Sequence, residues 1–293
     1  AVVTPGTLEW DSLTEEQKIH HARRMEVYAG MVDAMDMHIG RLMDYLKEIG
    51  EFENTIFVFT SDNGAEGSNL IGVNGQAALG MGNWFDRVGY NSDLETLGEA
   101  NSFNAIGPNN ATIAASPLAY YKFYASEGGL RVPLVMSGPG ISKQNEKTDE
   151  FVFVTDLTPT ILSLVDLKKH DGNWKGDSIE EIIGTDFSEF LQGGESDIHS
   201  DSQAIGYELG GNRALFKGDY KLVFNRSAVN DQNWHLFNIK TDPGEARDLA
   251  QIEPQRYAEM LADYAAYESS NNVLPMPEGY IQRREIFRGV QLN

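Results

Sequence analysis

The chain of 293 residues predicts an α/β fold carrying a small C-terminal α+β subdomain. Three observations predict it. A stripe of apolar residues at helical spacing leads, through a short link, into Ile56-Phe57-Val58-Phe59, an unbroken apolar run. Such runs mark strands covered on both faces, as in parallel sheets flanked by helices, whereas half-exposed strands alternate. Beyond residue 203 the pattern changes to short strands separated by turn residues, as in an antiparallel sheet.

Each element follows from its residues. The phrase S-L-T-E-E-Q from Ser12 offers a capping residue followed by first-turn acids. Met25, Tyr28, Val32, Met35, Ile39, Leu42, Leu46 and Ile49 then recur at gaps of three and four. They form one face of a long helix, expected to pack on a sheet, and Gly50 ends it. Residues 65–115, rich in Gly, Asn and Ala, read as a long loop with one helix-like piece from Leu94 to Ala100. Loops of that length in a compact domain are usually functional, so this one is expected to shape a binding pocket. Pro117 to Ala125 reads as a short helix or strand. Gly128-Gly129 turn the chain into a second buried strand, Arg131 to Met136, and Phe151 to Val154 reads as a third. Within 155-TDLTPTILSLV-165, Asp156 or Thr158 caps a helix with Pro159 near its first turn. In the C-terminal part, 204-AIGYEL-209, 213-RALFKGDYKLVFN-225 and 234-WHLFNI-239 read as antiparallel strands, with Gly218-Asp219 as a hairpin turn. A helix with Tyr257, Met260, Leu261 and Tyr264 on one face follows. Turn-rich composition from about residue 170 to residue 203 marks the boundary. Residues 1–195 are then the larger α/β part and 196–293 the small subdomain.

Composition limits function. The chain has 44 Asp plus Glu against 23 Lys plus Arg, a formal net charge of -21. A surface this acidic repels phosphate backbones, so no nucleic-acid partner is expected. No apolar run approaches the roughly 18 to 20 residues of a membrane-spanning helix, so no membrane span is expected. There are no cysteines, which excludes thiolate metal sites and a cysteine nucleophile within this chain. The sequence opens mid-phrase with AVVTPGTLEW and no initiator Met, which leads to the expectation that a segment precedes it.

Chemistry-bearing residues gather where the first strand ends. In open α/β sheets, ligands bind at the carboxyl ends of strands, and Asp62-Asn63-Gly64 stand at one. A carboxylate and an amide oxygen suit a hard cation such as Ca2+ or Mg2+ and lack the nitrogen or sulfur partners zinc prefers. The same three residues also make ordinary strand-ending turns. Spacing alone leaves both readings open, and a calcium site needs roughly six to eight oxygens. Of the six histidines, His20 and His21 read as exposed and His38 as packed beside the apolar stripe. His170 and His199 read as loop residues and His235 as a strand residue, and none is assigned to a metal.

The stretch VYAGMVDAMDMHIGRLMDYLKEIGEFENTIFVFTSDNGAEG resembles the corresponding part of formylglycine-dependent arylsulfatases of the alkaline-phosphatase superfamily. The likeness continues in order through 127-EGGLRVPLVMSGPG-140, 155-TDLTPTILSLV-165, 213-RALFKGDYKLVF-224 and 235-HLFNIKTDPGEARDLA-250. The resemblance implies part of an alkaline-phosphatase-like mixed sheet sandwiched by helices, and a sulfuric ester hydrolase that uses a calcium ion and a formylglycine nucleophile. It implies Asp62 and Asn63 as calcium ligands. It also implies that Lys122, otherwise an ordinary surface lysine, contacts the sulfate and stabilises the leaving group. A cation there meets the negative charge that builds up on sulfate cleavage. Glu127 and Arg131 are expected to hold the turn.

The departures from the family pattern are as informative. Its nucleophile motif, C/S-x-P-S-R, has no match; the nearest phrase, 137-SGPGI-141, lacks the Ser-Arg pair and reads as a turn. The other calcium aspartates, and the histidines and second lysine that flank the nucleophile, are also without counterparts. The expectation is therefore the C-terminal half of an arylsulfatase, inactive alone and acting on a small sulfate ester. The N-terminal half of the same enzyme is the expected partner, supplying the formylglycine and the rest of the calcium site. Two other readings compete. One is a non-catalytic sulfatase-like binding or structural protein, which the net charge disfavours for polyanionic partners. The other is a phosphoester or phosphonate hydrolase, for which S-D-H-G rather than S-D-N-G is expected.

Overall fold

The structure is a computed structural model that describes residues 4, 6–72, 81–143, 145–170, 172–195, 197–226, 231–277 and 279–280. Its regular elements are α1 (Glu15–Glu48), β1 (Phe57–Thr60), α2 (Met81–Val88), α3 (Gly107–Ala115), α4 (Glu127–Leu130), β2 (Leu134–Ser137) and α5 (Val154–Leu164). There follow β3 (Asn173–Trp174), β4 (Asp177–Ser178), α6 (Ser188–Leu191), β5 (Ala204–Leu209), β6 (Asn212–Lys217), β7 (Tyr220–Phe224), β8 (His235–Asn238) and α7 (Pro254–Ser270). This is the expected mixed α/β architecture with a C-terminal antiparallel sheet. By contacts the chain separates into one unit of Ala1–Met35, Asp62–Val132 and Ala204–Asn293 and another of Asp36–Ser61 and Pro133–Gln203.

The core of the first unit is the sheet β5-β6-β7-β8, antiparallel throughout, with the β6–β7 hairpin turning at Gly218-Asp219 as expected. One face carries Leu215, Leu222 and Leu236, all fully buried against Met260 and Tyr264 of α7. Burying such side chains is worth roughly 1.5–3 kcal/mol each, which makes this layer the main apolar store of the unit. Gly206 lies where an added Cβ would sit 2.3 Å from the Tyr267 ring, so the helix lies directly on β5 there.

The first turns of α1 are anchored differently from expectation. Thr14, rather than Ser12, caps the helix: Gln17 N–H donates to its hydroxyl at 3.2 Å, while the Gln17 side chain accepts from Thr14 N–H at 2.9 Å. His20 and His21 are buried, not exposed. Asn110 Nδ2 of α3 donates to His21 O at 3.0 Å, and Arg24, one turn on, reaches the carbonyls of Ile71 and Gly72 ahead of α2. Burial, then the Arg24 cation, hold both imidazoles below their ordinary value. Further along, the apolar stripe is not covered: Val32, Met35, Leu42 and Ile49 are exposed, as is His38. Gly50, at φ 76°, ends the helix as expected.

The expected loop at 65–115 contains two helices, α2 and α3, while residues 94–98 form turns. Residues 73–80 of it lie outside the described residues. Its order comes from aromatic packing, with Trp84 edge-on to Tyr90 and Phe103 at 5.4 and 5.7 Å and Phe85 buried beside them. A segment poor in aliphatic residues hid this, because rings hold it at few positions. Pro117 to Ala125 is neither helix nor strand but a series of turns.

In the second unit β1 pairs antiparallel with β2, Phe57 opposite Ser137 through Thr60 opposite Leu134. Neither strand is covered on both faces; Phe59 and Val135 are 40% and 57% exposed. Each has one hydrogen-bonded neighbour among the described residues, so the apolar run correctly marks a strand but not a parallel or buried one. Residues 151–153 are not a strand. Asp156 Oδ2 accepts from Phe153 N–H at 2.6 Å, which makes Phe153 the cap of α5 and uses the donor a ladder would need. The same buried carboxylate accepts from Thr185 N–H at 2.8 Å and from His199 Nε2 at 2.8 Å, tying three segments together. Burial pulls the His199 imidazole down, but the bonds to Asp156 and Gln203 and the Asp156 charge outweigh it, so it sits above its ordinary 6.5.

Two measurements check this picture. Leu236→Ala, at a fully buried position, is expected to cost about 2–5 kcal/mol by urea denaturation, and Ile183→Ala, at 77% exposure, less than about 0.5 kcal/mol. Because folding raises the His199 value, the pair stabilises fully below 6.5 and loses its effect as pH rises through the folded value. The stability gap between wild type and His199→Asn is therefore expected to shrink with increasing pH; a pH-independent gap contradicts it.

Candidate functional site

The strand-end turn is fixed by backbone contacts. Gly64 N–H donates to Gly129 O at 2.9 Å, and Lys122 N–H donates to Ala65 O at 3.0 Å. These two bonds join the Asp62–Glu66 turn to the segment carrying Lys122 and to the Gly128-Gly129 turn. The approach admits only glycine: a Cβ on Gly64 would lie 1.9 Å from Gly128 O, and one on Gly128 would lie 2.3 Å from Tyr120 O. Asp62 is exposed on this turn, Asn63 half-buried and Lys122 half-buried. The three expected site residues thus stand on one bonded arrangement of backbone.

Lys122 sits in a constrained stretch. Tyr120 and Phe123, close on either side, have φ of 63° and 81°, a region that costs roughly 1–3 kcal/mol for residues other than glycine. Surrounding bonds hold it: Asn212 Nδ2 donates to Phe123 O at 2.8 Å, and Asn225 Oδ1 accepts from Ala125 N–H at 2.8 Å. Asn225 Nδ2 also donates to Ser126 Oγ at 2.7 Å.

Beneath these bonds lies a buried ion triad. Lys221, on β7 and fully buried, places Nζ 2.9 Å from Glu127 Oε1 and 2.9 Å from Glu245 Oε1. Glu245 also accepts from Glu127 N–H at 3.2 Å, and Arg131 reaches Glu127 at 3.7 Å. Burial lowers the Lys221 ammonium, but the two carboxylates outweigh it and hold it charged; burial raises the Glu245 carboxyl despite Lys221. Glu127 and Arg131 do hold the turn, as expected.

Sequence reasoning missed Glu66, Lys221, Glu245, Asn212 and Asn225. Lys221 carried a signal, a lone cation inside the apolar strand Tyr220–Phe224. Glu66 carried none. Its Oε2 lies 2.9 Å from Lys122 Nζ and its Oε1 accepts from Ser68 N–H at 2.7 Å. Burial pushes this carboxyl up, but the Ser68 bonds and the Lys122 charge bring it below its ordinary value.

Oxygen donors at Asp62 and Asn63 suit a hard cation, yet among the described residues no group of three or more His, Cys, Asp or Glu could hold a metal ion. The two residues fit such a site as part of a donor set only.

Comparison with known proteins places the chain in a family. The sequence profile of the Sulfatase family matches residues 6–167, and that of the N-sulphoglucosamine sulphohydrolase C-terminal region matches 119–266. The chain belongs to the sulfatase family. An uncharacterised sulfatase of Schizosaccharomyces pombe is 37% identical over 276 residues, covering 94% of this chain and 49% of the relative. An arylsulfatase of Klebsiella aerogenes is 34% identical over 154 residues, 52% of this chain and 32% of the relative. This sulfatase chain therefore spans half or less of the length of these two relatives. Two solved structures share its fold. Ps i-CgsB in complex with k-i-k-neocarrahexaose superposes with a TM-score of 0.57 at 23% identity, over 97% of this chain and 51% of that one. BT4656 in complex with its substrate D-glucosamine-2-N,6-O-disulfate gives 0.51 at 18% identity, over 85% and 41%. The Schizosaccharomyces pombe and Klebsiella relatives are a sulfatase and an arylsulfatase, in line with the sulfatase phrases of this sequence. No helix among its described residues is long and apolar enough to cross a membrane.

Lys221→Met leaves two buried carboxylates without their cation and is expected to cost about 3–5 kcal/mol. Adding Glu127→Gln and Glu245→Gln is expected to recover part of that loss in urea unfolding. Equal stability of Lys221→Met and wild type would remove the triad as the support of the turn.

Proposed function

We propose that this chain supplies the cation-holding and anion-contacting half of a sulfuric ester hydrolase acting on a small sulfate ester. The carrying observation is the bonded backbone that holds Asp62, Asn63 and Lys122 together in a chain of the sulfatase family. The Klebsiella relative is an arylsulfatase, and BT4656 holds a sulfated sugar as its substrate; both support the sulfate ester class.

Asp62 and Asn63 would hold a calcium ion with oxygens supplied from outside this chain. When bound, calcium would neutralise sulfate charge, and a formylglycine would supply the attacking oxygen. The Lys122 ammonium donates to the sulfate oxygens and the departing oxygen, where negative charge grows. Phe123 and the turns around it fix the backbone from which that lysine projects, so little rearrangement is needed on binding. The nucleophile and remaining ligands would come from an N-terminal half of the same enzyme. Two observations support that division: the chain covers 49% of the S. pombe relative, and β1 and β2 leave Phe59 and Val135 exposed.

The test is complementation. Co-expression with an upstream sulfatase segment carrying C-x-P-S-R is expected to yield calcium-dependent hydrolysis of a chromogenic aryl sulfate, with neither part active alone. Within that complex Lys122→Ala is expected to lower kcat/KM by about 10²–10³, the scale of removing one charge-stabilising donor. Asp62→Ala is expected to raise the calcium concentration required. Sulfate ester hydrolysis by residues 1–293 alone would place the nucleophile within this chain and overturn the division. Hydrolysis of phosphoesters but not sulfates would overturn the substrate class.

A further inference from the structure

A site that binds anions through one lysine needs that cation available, yet Lys122 is already paired. Glu66 Oε2 stands 2.9 Å from its Nζ, with the lysine side chain 32% and the glutamate side chain 41% exposed. The glutamate is not a loose surface partner. Its other oxygen is held by Ser68 N–H at 2.7 Å, and it is carried on the turn whose Gly64 and Ala65 bond to Gly129 and Lys122. Gly67, next to it, lies where a Cβ would meet the Tyr121 ring at 2.3 Å, so the turn packs directly against that ring. A carboxylate is thus built into the neighbourhood of the anion-contacting cation.

We propose that Glu66 sets the charge selectivity of the site, capping the positive charge offered by Lys122 so that a singly charged sulfate ester is accepted in preference to a doubly charged phosphate ester. This rests on the assignment of Lys122 to anion contact. The attraction an anion feels grows in proportion to its charge, whereas the cost of stripping water from it grows with the square. A strongly positive site therefore favours a dianion, and each unit of positive charge removed moves the balance toward a monoanion. Glu66 removes one such unit at Lys122. A shape-based pocket cannot do this well, because sulfate and phosphate esters are almost the same size and both tetrahedral. Specificity of this kind comes from disfavouring the competitor rather than from improving the fit of the substrate.

The proposal is testable without turnover, using benzenesulfonate and phenylphosphonate as unreactive probes. Binding to the purified 293-residue chain is measured at mildly alkaline pH, where the phosphonate carries two negative charges and the sulfonate one. Glu66→Gln keeps the shape and the bond from Ser68 but removes the charge; it is expected to shift the ratio of phosphonate to sulfonate affinity toward phosphonate by on the order of ten-fold. Glu66→Asp, which keeps the charge, is expected to leave the ratio within about two-fold of wild type. In parallel, acetylation of Lys122 read by mass spectrometry is expected to speed up in Glu66→Gln, because the ammonium has lost its partner. An unchanged ratio in Glu66→Gln, no binding of either probe by that variant, or unchanged acetylation overturns the role of Glu66. If Lys122→Ala leaves both affinities intact, the assignment of Lys122 fails instead, and the two failures are distinguishable.

Discussion

Everything at the candidate site depends on one lysine that has no access to water. Lys221 is buried in the C-terminal sheet and meets Glu127 and Glu245 at 2.9 Å each. Burying a charge costs several kcal/mol unless its partners are well placed, so a triad of this kind contributes less to net stability than to fixing one arrangement. What it fixes is the Gly128-Gly129 turn. That turn receives Gly64 of the strand-end turn, and the preceding residues carry Lys122. The sheet is thus the foundation and the site is mounted on it.

Labour is divided between side chains and backbone. Charged and amide groups, Lys221, Asn212 and Asn225, hold the loop from below. Between the loop and the strand-end turn, main-chain bonds set the spacing, at distances that admit no Cβ at Gly64 or Gly128. The position of Asp62, Asn63 and Lys122 is therefore set by the peptide groups that carry them, and their side chains need not be the clamps.

The C-terminal sheet was legible because short apolar runs broken by turn residues, Gly218-Asp219 among them, reflect local chemistry. The existence of α5 was legible but its start was not: Asp156 lies inside the helix, bonding back to the Phe153 cap, and Pro159 stands in its interior. Burial was not legible on α1 or β1, because an apolar stripe states what a surface would bury and not whether a neighbour is present: Val32, Met35 and Phe59 remain exposed. The inverse held for His20 and His21, polar residues that are buried; Asn110, 89 residues downstream, bonds the His21 carbonyl. At the candidate site, Asp62, Asn63 and Lys122 were proposed from phrases of the sequence. Glu66 was not, since its contact with Lys122 joins residues far apart in the chain.

The loop that carries Lys122 meets its supports across long stretches of sequence. Ala125 and Asn225 are 100 residues apart, Glu127 and Lys221 are 94, and Glu127 and Glu245 are 118. Closing such distances is slow, because chain entropy is lost before any contact repays it. During synthesis the loop emerges well before β7 exists, with Glu127 solvated and nothing to hold Phe123 in its unfavourable backbone region. The contacts that hold the loop therefore cannot all form in the order of translation. The segment that carries Lys122 is made early, and the residues that support it, Lys221, Asn225 and Glu245, are made last.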